Sequence, residues 1–247
     1  MSPDRPALVL VGHGSARHPE AGAPLLALAE TVRLSAAFAS VEARFLKQEP
    51  RLGPPAPAPL TVIVPVLTGG GAFAETRLAE QAGLDGPQTL GPSGRILLTP
   101  PVGAHPGFAA LVERLAEQTA SAAGLDPAAS VLLLIGHGAT RPEGAAGTAQ
   151  AIAAHLKAHG RFADVAALFL EQEPFAADWP ERVGNRSAVA VPLLLSQGGH
   201  VRTDLPALFK ARPDGENRVV LAAPPTDPVQ LAEIVLALVA EAIAQAR

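Results

Sequence analysis

Cysteine is absent from the 247 residues, tyrosine is absent too, and there is a single tryptophan. Without thiols the chain has no disulfide, no thiolate metal ligand, no iron–sulfur cluster and no cysteine nucleophile. Aromatic residues make up 4%, too few for the stacking platforms on which single-stranded nucleic acids rest. Positive charge is also in short supply. Against 23 Asp and Glu there are 19 Lys and Arg, a net charge of −4, which speaks against nucleic acid as a partner. No uninterrupted apolar run reaches the roughly 18 residues of a membrane span. The most apolar late stretch, Leu231–Ala244, is broken by Glu233 and Glu241 and reads as an amphipathic helix rather than a membrane partner. Near the N-terminus, Ala7–Val11 is too short for the apolar segment of a signal peptide, so a cytoplasmic location is the expectation.

What is present is apolar mass and turn formers. Hydrophobic residues reach 48%, enough for a substantial core, and 23 Gly with 25 Pro punctuate them. The length allows one large domain or two small ones, at roughly 100–200 residues per domain.

Internal repetition decides between these. Val9-Leu10-Val11-Gly12-His13-Gly14 returns as Leu133-Leu134-Ile135-Gly136-His137-Gly138, an offset of 124 residues. Phe45-Leu46-Lys47-Gln48-Glu49-Pro50 returns as Phe169-Leu170-Glu171-Gln172-Glu173-Pro174 at the same offset. Val64-Pro65-Val66-Leu67 matches Val191-Pro192-Leu193-Leu194 at an offset of 127. Two identical offsets make this a tandem duplication, with domains expected over 1–124 and 125–247 and a link near Ala122–Ala129.

Each copy alternates strand and helix signals, the pattern of an α/β domain with a mostly parallel sheet flanked by helices. Short apolar runs at Ala7–Val11 and Val131–Ile135 predict buried parallel strands. Further strands are expected at Val41–Phe45 and Val165–Phe169, at Leu60–Leu67 and Ala188–Leu195, and at Arg95–Leu98 and Arg218–Leu221. Helices are expected near Ala23–Ala37 and Gly147–His159, with closing helices near Pro106–Ala122 and Pro228–Ala244. Ligands of such sheets lie beyond the carboxyl ends of the strands, and the repeated motifs fall there.

The two copies differ in chemistry. The second offers His137 after its first strand, Glu171 after its second and His200 after its third. Two imidazoles and a carboxylate suit a borderline divalent metal such as Fe, Co, Ni or Zn, and they also accept protons. The first copy keeps His13 but has Lys47 in place of Glu171, and Gly70-Gly71-Ala72-Phe73 stands where Gly198-Gly199-His200 does. A cation at Lys47 repels a metal ion, so the first copy reads as a vestigial site.

Gly-His-Gly, then Phe-Leu-Glu-x-Glu-Pro, then Val-Pro-Leu-Leu-Leu-x-x-Gly-x-His with Asp204-Leu205-Pro206 resembles the sirohydrochlorin chelatases, which insert cobalt, iron or nickel into a cyclic tetrapyrrole. The likeness covers nearly the whole chain as a fused form of two tandem chelatase-like domains. It implies that His137, Glu171 and His200 bind the metal and assist proton removal. It also implies that the partners are a tetrapyrrole and a divalent metal (Co2+, Fe2+ or Ni2+) as substrates, with no permanently bound cofactor. Single-copy relatives pair as dimers, so the resemblance implies a monomer acting as its own pseudo-dimer. The macrocycle carries several carboxylates, for which Arg141 and Arg202 are the candidate partners through planar bidentate contacts.

Plainer readings stand beside these. Glu49 and Glu173 occur in both copies, which favours a structural role in bonding backbone N–H groups of the turn before proline. His155 and His159 share a helix face and suit its negative C-terminal end before Gly160. His18 and His105 sit in loops with no partner in register. Trp179 is expected in the core rather than as a lid. Gly12-His13-Gly14-Ser15 superficially offers a hydrolase nucleophile beside a base, but Ala139 replaces the serine in the better-equipped copy. A non-catalytic tetrapyrrole- or metal-binding protein is the remaining alternative.

Overall fold

Strands buried on both faces of a parallel sheet are unbroken apolar runs, and the two most apolar segments of each copy form such strands. The structure is a computed structural model and describes residues 5–69, 72–91, 94–138, 145–196, 203–210 and 218–246.

In the first copy, β1 (Ala7–Gly12) is followed by α1 (Ala23–Leu34) and β2 (Ser40–Phe45), then β3 (Leu60–Pro65), α2 (Ala72–Ala82), β4 (Gln88–Gly91) and β5 (Gly94–Leu98). The strand order is β2-β1-β3-β5-β4, and only β4 runs antiparallel. The first copy closes with α3 (Pro106–Ala122), and the second copy follows it in the chain. It continues through β6 (Val131–Gly136), α4 (Ala145–His159), β7 (Asp164–Phe169), α5 (Trp179–Val183), β8 (Ala188–Pro192), α6 (Leu205–Lys210), β9 (Val219–Leu221) and α7 (Pro228–Gln245). Its order is β7-β6-β8-β9, all parallel.

The duplication extends to the pairing register, since Gly12 pairs with Phe45 and Gly136 with Phe169. Both phenylalanines are buried, and a Cβ on Gly136 would come within 2.8 Å of the Phe169 ring. In the second copy the glycine before the histidine is therefore what lets the aromatic ring lie across the strand end; in the first, a Cβ on Gly12 would press instead on Leu25 at 3.0 Å. Strand order reverses between β1 and β3, and again between β6 and β8, the crevices where α/β sheets receive ligands.

One core cluster gathers Val9, Val11, Ile63 and Leu78; the other gathers Leu133, Ile135, Trp179, Val183 and Leu205. Trp179 is 3% exposed with its ring 5.9 Å from that of Phe209, so it anchors the core.

The compact units do not divide at residue 124. One comprises Met1–His105 with Thr226–Arg247, the other Pro106–Pro225. The physical reason lies in the closing helices. The helix that ends the first repeat, α3, packs on β8 and α4, while α7, which ends the second, packs on α1 and β3. By length and composition α7 is apolar enough to cross a membrane, with a mean hydropathy of 1.5 over 18 residues. In the fold it buries Leu231, Ile234, Val235, Leu238 and Val239 against the first unit. Its start is capped by Asp227, whose carboxylate accepts from the N–H groups of Val229 and Gln230.

Four elements were not expected from the sequence: α2, β4, α5 and α6. The third strands also stop at Pro65 and Pro192, shorter than the spans Leu60–Leu67 and Ala188–Leu195.

Candidate functional site

In a parallel pair, the residues just past the ends of neighbouring strands emerge side by side. His137 follows β6 and Glu171 follows β7, with the Glu171 N–H donating to the His137 carbonyl at 3.0 Å. That backbone bond aligns the two side chains, and His137 Nδ1 stands 3.6 Å from Glu171 Oε2. The separation is too long for a hydrogen bond. It is close to the roughly 3.4 Å subtended by two ligands about 2.1 Å from a tetrahedral ion. Both side chains are about half exposed, at 45% and 48%, so an incoming ion meets them without the protein opening.

Among the described residues no group of three or more His, Asp or Glu is gathered to hold a metal ion. The third predicted ligand, His200, lies outside the described residues, as do Arg141 and Arg202. The strand that precedes His200 in sequence, β8, is the neighbour of β6 on the side away from β7.

The first copy repeats this backbone with different chemistry. The Lys47 N–H donates to the His13 carbonyl at 2.9 Å, so an ammonium takes the place of the Glu171 carboxylate. His13 Nδ1 lies 3.0 Å from the Gly14 carbonyl.

Sequence reasoning passed over a glutamine. The Gln48 carboxamide oxygen accepts from the Ser15 N–H at 3.0 Å, and its nitrogen donates to the Pro19 carbonyl at 3.1 Å. The side chain thereby braces the turn after His13. Gly14 is left-handed at φ +66, a conformation open to glycine, and a Cβ there would also meet the Gln48 side chain at 3.0 Å. In the second copy Gly138 has φ +82, and a Cβ would come within 2.9 Å of Gln172 Cγ. The signal was available: Gln is identical in both copies of the motif, where the residue before it is not.

Other candidates are accounted for. Ser15 Oγ accepts from the His18 N–H at 3.1 Å, a turn contact rather than a nucleophile on a base. Glu49 accepts from the Arg51 N–H at 3.0 Å, as a structural glutamate beside proline would; both Glu49–Pro50 and Glu173–Pro174 are cis. His159 pairs with Glu113 at 3.2 Å and its ring lies 4.3 Å from that of His155, at the helix end before Gly160. His105 pairs with Glu241 at 3.6 Å, and His18 with Glu20 at 3.4 Å.

Comparison with known proteins gives concordant results. The CbiX family model matches twice, over residues 7–119 and 131–242. A protein of Halobacterium salinarum named "Probable sirohydrochlorin cobaltochelatase" is 28% identical over 222 residues, covering 81% of this chain and 75% of that one. A solved multi-domain protein of Deinococcus radiodurans, described as structurally similar to chelatases but with two additional novel domains, superposes with a TM-score of 0.81 at 30% identity. That match covers 96% of this chain, which spans only 55% of the Deinococcus protein. A solved CbiX, described as the terminal enzyme of siroheme biosynthesis in denitrifying bacteria, superposes at 0.70 with 27% identity, covering 94% of this chain and 99% of that one.

Proposed function

Because the chain belongs to the CbiX family, we propose that it inserts a divalent metal ion into sirohydrochlorin or a close tetrapyrrole. The observation that carries the reading is the His137–Glu171 pair, imidazole and carboxylate 3.6 Å apart at the ligand edge of a parallel sheet. The same register in the other copy holds a lysine. The Halobacterium relative is named for sirohydrochlorin and cobalt, and the solved CbiX is described as an enzyme of siroheme formation.

The reaction exchanges two pyrrole N–H protons for one M2+, so the free macrocycle and the ion give the metallated ring and two protons. His137 holds the ion through a ring nitrogen, with Glu171 as carboxylate ligand or as the base that takes a proton. His200 completes the set, and Arg141 with Arg202 meets the carboxylates of the ring. Co2+ or Fe2+ is the metal, with Ni2+ next, because this donor set accepts all three and availability selects among them. Metal and macrocycle are both substrates, in a cytoplasmic chain that carries both copies as a monomer.

The experiment follows the absorbance of sirohydrochlorin with Co2+, Fe2+ or Ni2+. His137→Ala or Glu171→Gln should lower the rate by about 100-fold or more, the scale on which acid–base groups contribute. His13→Ala should change it less than about twofold. Equal losses from His13→Ala and His137→Ala would give the first copy a share in the chemistry. Absence of any rate above the spontaneous reaction with all three metals would overturn the enzyme and leave a tetrapyrrole-binding protein.

A further inference from the structure

The first unit has kept the construction of the site while inverting its charge. Lys47 is exposed at the register of Glu171, and Arg17 is exposed in the turn that follows His13. Among the described residues no carboxylate forms an ion pair with either; the nearby Glu20 and Glu49 are engaged by His18 and Arg51. The turn between them is braced, since Gln48 accepts from the Ser15 N–H and donates to the Pro19 carbonyl. Two cations are thus presented on a fixed backbone at the carboxyl ends of β1 and β2.

The same sheet carries a second feature. A cavity of about 610 Å3 is lined by Pro65 and Leu67 where β3 ends, by Thr76 and Ala79 of α2, and by Leu98 and Thr99 where β5 ends. Its volume falls within the roughly 300–1,000 Å3 usual for small-molecule pockets. These six residues include no ionisable group. The strand order β2-β1-β3-β5 sets cations and cavity along one edge. At about 4.8 Å per strand, the row from β2 to β5 is about 14 Å long.

We propose that the first unit is a seat for a carboxylated tetrapyrrole, which it binds without metallating. The apolar wall of Leu67, Ala79 and Leu98 takes the edge of a flat ring, and Lys47 and Arg17 take its peripheral carboxylates through charge-assisted hydrogen bonds. Lys47 also keeps a divalent cation away from His13, so the seat does not compete for the metal. The identity of the ring rests on the chelatase reading; the existence of a seat for an anionic apolar ligand rests on the cations and the cavity.

The test titrates the intact, chelator-treated chain with free-base sirohydrochlorin in the absence of metal, reading its fluorescence. Lys47→Ala should weaken binding about tenfold, and Lys47→Arg should restore it to near the parent value. Thr76→Trp, a change at an exposed helix position beside the cavity, should weaken binding similarly. Co2+ affinity should stay at the parent value in all three. Affinities equal to the parent in both Lys47→Ala and Thr76→Trp would overturn the seat. If those variants also metallate at the parent rate, the seat falls and the chelatase reading stands. Binding that depends on Lys47, in a chain that metallates nothing, would leave the seat and remove the chelatase.

Discussion

Glu171 and Lys47 occupy one register on one backbone scaffold, and the exchange puts an ammonium in the first copy where the second has a carboxylate. Charge at a single residue is also measurable through pH elsewhere. The Asp164 carboxyl is held below the ordinary carboxylate range, first by the Lys157 ammonium donating to it at 2.8 Å. The Val165 N–H and the charges of Lys157 and Arg186 act in the same direction, against partial burial. A group whose folded value is depressed contributes fully above its unfolded value, near 3.9 for Asp, and the contribution is lost as pH falls through the folded value. Lys157 is 64% exposed, so screening limits the effect to a few tenths of a kcal/mol. Lys157→Met should therefore lower the urea midpoint slightly at pH 7 and leave it unchanged near pH 2. An equal shift at both values would assign the loss to packing.

At the scale of elements the copies act as controls for one another. Both α1 and α4 end in a left-handed residue, Ala36 at φ 51 and Gly160 at φ +69, which are 124 apart in the sequence. Only glycine takes this conformation without steric cost, so α1 carries strain that α4 avoids. Ala36→Gly should raise stability by about 0.5–1 kcal/mol, and Gly160→Ala should lower it by about 1 kcal/mol, both from chemical denaturation. A destabilising Ala36→Gly would show that chain entropy outweighs relief of strain. The same residue explains why α1 stops at Leu34 and not at Ala37 as its composition suggested. The helices that went unseen had weak signals. A glycine run that reads as a turn precedes α2, and α6 is six residues long with Pro206 at its start, a position that tolerates proline.

At the scale of the molecule, the closing helices belong to the unit opposite in sequence. The first unit draws on residues 226–247 for α7, and the second draws on 106–122 for α3. Burying an apolar side chain is worth about 1.5–3 kcal/mol, so loss of the buried face of α7 costs on the order of 10 kcal/mol before relaxation. A chain ending at Pro225 should lose amide protection across β1, β2 and β3 while β6, β7 and β8 keep theirs, as read by hydrogen exchange. Loss of protection in the second sheet instead would contradict the packing of α7. The division at 124 and 125 is that of the repeat in sequence; the compact units are set by burial and not by sequence order.

By itself the sequence determined the duplication, the parallel strands, the loss of the carboxylate from the first copy and the pair His137 and Glu171. These are local patterns, and a repeat at fixed offset makes local patterns readable twice. Tertiary structure decided which sheet each closing helix covers, because α3 and α7 have equivalent apolar faces and nothing local in either names its partner. It also decided that His137 and Glu171, 34 residues apart in sequence, stand 3.6 Å from one another, just past the ends of two paired strands and joined by a backbone hydrogen bond. And it brought the cations of the first copy onto the edge that holds the cavity, a juxtaposition that depends on strand order and that no single stretch of sequence contains.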